Sequence, residues 1–175
     1  MDESFFEYLD RLELLAFFSG YPLIFALVGY IGGNRTPNTG FRGRLVTLLP
    51  YSYALVGTLF LGLQLRNLYP DYSFENIKVV TEGSYLRIWG LLSLLFWLPA
   101  LAKKPKLSLI HSLVFFFFLV KDLFLHAIQS SGDRNMIRNE MKIYTDSLLL
   151  NLATILCMVL VYFLFSRFKI YKNSH

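Results

Sequence analysis

The chain has 175 residues, of which 55% are hydrophobic, 17% aromatic and 17% charged, with a mean hydropathy of +0.47 and a net charge of +5. A soluble domain carries about 25% charged residues, and the deficit here is concentrated, because Leu14–Asn34, Leu45–Leu65 and Ser147–Ser166 hold no charge at all. This excludes a water-soluble globule, whose helices need a polar face; the cations sit in connecting segments, not on one basic face suited to nucleic acid.

The chain opens MDESFFEYLD, acidic where a secretory signal is basic, so no cleavable signal peptide is expected. Phe5, Phe6 and Tyr8 suit a short helix lying at a membrane interface. The first span is predicted over residues 14–34, about the 20 residues that cross a hydrocarbon core roughly 30 Å thick. Pro22 within it removes a backbone hydrogen bond and should bend or break the helix. Gly29 and Gly33 form a small-xxx-small pair that admits a second helix closely, most simply inside this bundle.

The loop NRTPNTGFRGR is rich in turn formers and arginine. Its sequon at Asn34 abuts a span, so chance is the simpler explanation. The second span is predicted over 45–65, with Pro50 as another bend and Gln64 and Arg66 at its end. A longer connection, with the segment YPDYSFENIK, leads to a third span over 85–102. Its uncharged core, Ile88–Ala102, is only 15 residues, and it needs Arg87 and Lys103 to snorkel. The AKKPK link suits a tight hairpin, with Pro105 at a helix start.

The fourth span is predicted over 107–128. His111 stands alone on it as a packing residue, and Phe115–Phe118 cover every side of the helix, so part of that run must face lipid or protein. Lys121, Asp122 and His126 lie toward its end, the last two four residues apart and hence on one face. QSSGDRNMIRNEMK is expected to begin a helix that runs into a fifth span over 146–166, with Asp146 and Asn151 near the start of that span. The single Cys157 is inside it and forms no intramolecular disulfide.

The expected fold is all-α: one polytopic membrane domain, residues 1–175, of about five transmembrane helices in one bundle. Cut at these spans, the chain sorts its charges. Arg35, Arg42, Arg44, Lys103, Lys104, Lys106, Arg167, Lys169 and Lys172 lie in segments with no acidic residue, and every Asp and Glu lies in the alternate set. Five spans preserve that alternation and four destroy it. The positive-inside rule then puts the N-terminus outside and the C-terminus in the cytoplasm, in a cell membrane of the bacterial inner-membrane kind. Tyr69, Tyr72, Tyr85, Trp89 and Tyr144 fall near the outer ends, where amphipathic rings favour the headgroup layer.

Antiparallel spans should bring Gln64, Arg66, Arg87, Lys121, Asp122, His126, Asp146 and Asn151 to one depth. Ionisable groups in spans are costly and tend to pair or to face a cavity. One reading is a vestibule for an ion or polar solute, with Asp122 and His126 as the exchanging pair. The favoured reading is a network that pins helix ends together.

No catalytic motif, phosphate loop or metal-ligand spacing is present, and with His111, His126 and His175 the only histidines, no histidine-rich metal centre or cofactor is expected. The leading functional expectation is a non-enzymatic subunit or assembly factor of a membrane complex, in contact with lipid and with a protein partner or copies of itself. The alternative is a small oligomeric transporter or channel. An intramembrane enzyme ranks last, for want of a nucleophile.

Overall fold

The computed structural model describes residues 3–32, 41–70, 72–73, 85–129 and 134–173, with side chains over a somewhat narrower set. Helices are α1 (Glu3–Phe18), α2 (Tyr21–Gly32), α3 (Phe41–Leu68), α4 (Tyr85–Leu91), α5 (Pro99–Ala102), α6 (Pro105–Gln129) and α7 (Arg134–Asn173), with a 3₁₀ run at Leu92–Trp97 between α4 and α5. No strand occurs among the described residues. Among the described residues, four stretches are long and apolar enough to cross a membrane: Arg11–Tyr30, Gly43–Leu68, Pro105–Leu125 and Arg138–Ser166.

The first stretch is helical from the acidic segment onward, then interrupted at Ser19–Gly20. The Ser19 hydroxyl donates to the Leu15 carbonyl (2.6 Å), and the Gly20 amide donates to Ser147 Oγ on α7 (2.9 Å). Pro22 is the second residue of α2, where a missing N–H costs nothing, so the break is placed just ahead of it. Pro50 is buried inside α3, which continues without a break to Leu68; tertiary packing in a bundle can accommodate a proline within a helix.

The segment expected as a third continuous span is instead three short pieces, and only Tyr85–Trp97 is a shorter apolar helix. It packs along α3 in the opposite direction. Gly90 meets Phe60, Ser93 sits on Gly57, and the Trp97 indole donates to Thr58 Oγ1 (2.9 Å). A Cβ at Gly57 would lie 2.0 Å from Ser93 Oγ, so only glycine admits the 3₁₀ run this closely. Ser93 in turn donates to the Gly90 carbonyl (2.6 Å).

The remaining pairings fix an alternating bundle. Glu13 meets Gln64, Phe17 meets Phe60 and Tyr21 meets Tyr53, so α1–α2 opposes α3. Arg11 meets Asp122 and Tyr21 meets Ser108, so α6 opposes α1–α2. Phe116 against Tyr144 and Arg44 against Tyr162 set α7 opposite to both α6 and α3. At the centre Phe18 stacks on Phe115 (centroids 4.7 Å) and meets Phe60 and Tyr53 edge-on. Tilted and edge-on ring pairs of this kind add stabilisation beyond the apolar area they cover.

Candidate functional site

Three polar groupings lie inside the bundle. The first is at the end where α1 begins. Asp122 on α6 is almost fully buried, and its Oδ2 lies 3.3 Å from Arg11 Nε. Gln64 Nε2 on α3 donates to Glu13 Oε1 (2.7 Å). Residues two apart on a helix do not share a face, so Arg11 and Glu13 reach opposite neighbours from one helix. α1 therefore divides this end into two separate contacts, Arg11 with Asp122 and Glu13 with Gln64. Glu140, on α7 at the same end, is fully buried.

The expected residues distribute accordingly. Asp122 and Gln64 are buried and paired with α1. Arg66, Lys121 and Asp146 are exposed, and Arg87 is half-buried. The side chain of His126 lies outside the described residues, so the Asp122–His126 pairing does too; the partner Asp122 shows is Arg11. Asn151 is buried deeper, in the second grouping.

That second grouping is the seam at the helix break. Asn151 Nδ2 donates to the carbonyls of Phe17 (2.9 Å) and Ser147 (2.8 Å), while Ser147 Oγ accepts from Gly20. The Phe17 carbonyl and the Gly20 amide at the break are thus taken up by side chains of α7, which hydrocarbon could not do. A Cβ on Gly20 would come within 2.7 Å of the Leu148 and Ser147 backbone, so α7 crosses the break at backbone contact.

The third grouping is a polar–aromatic column. Tyr21 and Ser108 share a hydroxyl–hydroxyl hydrogen bond (2.7 Å), and Tyr53 Oη bonds His111 Nδ1 (2.7 Å). Trp89 stacks on the His111 ring at 4.7 Å with planes 5° apart, and its indole donates to the His111 carbonyl (3.2 Å). His111 is a packing residue, as its lone position suggested, yet its Nε2 is buried with no hydrogen-bond partner among the described residues. Asn151 Oδ1 is in the same condition.

Sequence reasoning missed Arg11, Glu13, Ser147, Tyr21 and Tyr53. The available signal for the first two was a pair of charges just ahead of an uncharged run, on a segment with no helix breaker before Ser19. The small-residue expectation also shifts. A Cβ at Gly29 would meet nothing within 4 Å, so Gly29 is open on the bundle surface, and Gly33 lies outside the described residues. Close helix approach inside the chain runs through Gly20, Gly57 and Gly90 instead. Among the described residues, no three of His, Cys, Asp and Glu gather as a metal-binding group. No family model, curated protein or solved structure matches this chain.

Proposed function

We propose that the protein is a non-enzymatic subunit or assembly factor of a membrane complex, working through its lateral, membrane-embedded surface. The supporting observation is the filling of the bundle axis. Phe18, Tyr21, Tyr53, Phe60 and Phe115 are buried where a solute path would run, and the polar groups among them pair, Tyr21 with Ser108 and Tyr53 with His111. The surface, by contrast, carries an open glycine at Gly29 beside Leu27 and Tyr30, a place where a second helix can approach closely.

In this reading the chain crosses five times, with the N-terminus outside and the C-terminus in the cytoplasm of a bacterial inner membrane. The broken third segment has the reach for it. Seven α-helical residues at about 1.5 Å, six 3₁₀ residues at about 2.0 Å and four more α-helical residues give roughly 28 Å, near the hydrocarbon thickness. The 3₁₀ winding lengthens a segment that is otherwise short. The alternating helix directions favour the same count.

Purification in mild detergent followed by mass determination tests the proposal. A defined complex heavier than the 20.3 kDa chain is expected; a uniform monomer with no partner contradicts it. A transporter is the second reading, favoured by the buried, unpartnered His111 Nε2 and Asn151 Oδ1. It predicts that Asp122→Asn changes ion or solute flux into vesicles while the fold is kept.

A further inference from the structure

Between α2 and α7 the bundle leaves a groove of about 570 Å³, the size of many small-molecule sites (about 300–1,000 Å³). Its walls are apolar: Leu23, Leu27 and Tyr30 on α2, and Thr145, Leu149 and Leu152 on α7. Both helices belong to stretches of membrane-spanning length, and these side chains are largely exposed, so the groove faces the hydrocarbon. α2 and α7 both oppose α6, so they run in the same direction, and Leu23 and Thr145 mark the end toward the start of α7.

Beyond Thr145 at that end stand Arg138 and Lys142. Positions 138, 142, 145, 149 and 152 advance in steps of four, three, four and three, which keeps them on one face of a continuous helix. The two cations are therefore stacked on the same face that lines the groove, one and two turns above its rim. Both are exposed, and neither has an ion pair among the described residues. Side chains on a helix lean toward its N-terminus, here away from the hydrocarbon. Of the acidic groups on this part of α7, Glu140 is turned inward and buried. Asp146 is exposed and lies four residues beyond Lys142, about 40° around the helix, yet forms no ion pair with it among the described residues.

We propose that this is an anionic-phospholipid site, with an acyl chain in the α2–α7 groove and the headgroup phosphate met by Arg138 and Lys142. A bare apolar groove would be indifferent to headgroup; the two exposed cations aligned above it, with no ion pair among the described residues, make the site selective for a negative one. The site rests on α2 and α7 being membrane helices, and on no protein partner.

Native mass spectrometry of the full chain, released from detergent with phosphatidylglycerol or phosphatidylcholine of the same acyl chains, tests this. One phosphatidylglycerol per chain should be retained, with an affinity on the order of tenfold above phosphatidylcholine, as two interfacial cations provide. The double variant Arg138→Gln with Lys142→Gln should lose that preference but keep weak binding of both lipids. Leu149→Trp, which fills the groove, should weaken both while leaving the cations in place. Both sites are exposed, so circular dichroism should be unchanged in either variant. Equal retention of the two lipids by the natural chain, a preference that survives the double variant, or full binding by Leu149→Trp would each overturn the site without touching the membrane reading. Solubility of the chain without detergent would overturn both.

Discussion

α3 and α7 are both uncharged along most of their spans, yet they are held in opposite ways. α3 buries 44% of its apolar stretch against the rest of the chain, and α7 buries 17%. α3 sits at the centre, with Tyr53 and Phe60 in the aromatic cluster and Gly57 beneath the 3₁₀ run. α7 exposes most of its apolar residues and packs through a narrower face, with Ile155 in the core, Ile143, Tyr144, Leu148 and Leu150 against it, and polar contacts at the helix break, Ser147 to Gly20 and Asn151 to the Phe17 carbonyl. In lipid there is no hydrophobic drive to bury leucine against protein, so a helix can remain docked through hydrogen bonds and close backbone approach. Apolarity and length say that a helix can cross a membrane. They do not say what it packs on.

Substitutions in the two helices should separate these modes of attachment, read as stability by denaturant unfolding in micelles with circular dichroism. Phe60→Ala empties a fully buried ring site on α3 and is expected to cost about 3–5 kcal/mol, whereas Leu156→Ala on the exposed face of α7 should stay within about 0.5 kcal/mol. Comparable losses at both would mean that α7 is packed in the core. Gly20→Ala forces a Cβ against the α7 backbone and should cost roughly 1–3 kcal/mol, while Gly29→Ala, with open space around it, should be near neutral or slightly stabilising.

Removing one member of the Arg11–Asp122 pair strands the other. Arg11→Ala should therefore cost about 2 kcal/mol, less than a fully buried pair because Arg11 is partly exposed, and Asp122→Ala in the same chain should recover part of the loss. Strict additivity in that cycle would show that the two side chains do not interact. A smaller loss than for the ion pair is expected for Asn151→Ala, about 1 kcal/mol, from the loss of its two carbonyl contacts. A cross-link between cysteines introduced at Ala16 and Leu148 would report whether α7 loosens at the break.

Much of this bundle could be read from runs of uncharged residues, since bilayer thickness imposes a length that a sequence displays directly. The helix running from Arg134 through the last span and the start of α6 at Pro105 were legible in the same way. The 85–102 segment was not. Hydropathy counts residues and is blind to winding, and the 3₁₀ run packs Ser93 on Gly57, 36 positions earlier in the chain.

The polar cluster was legible by depth and not by partner. Asp122 and Gln64 are buried at the expected end, but their partners Arg11 and Glu13 belong to a segment that reads as a tail by charge and folds as the start of a helix. The break at Ser19–Gly20 had a signal in its residue types. The serine and asparagine of α7 that satisfy it are separated from it by more than a hundred residues.

The central claim is that the chain crosses the membrane five times, with the broken 85–102 segment as a full crossing. Single cysteines placed at Tyr72 and at Lys104, which flank that segment, test it most directly in a Cys157→Ser background treated with a membrane-impermeant maleimide on intact cells. The account predicts labelling of Tyr72→Cys from outside and of Lys104→Cys only after the membrane is opened. Labelling of both from the same face would contradict it.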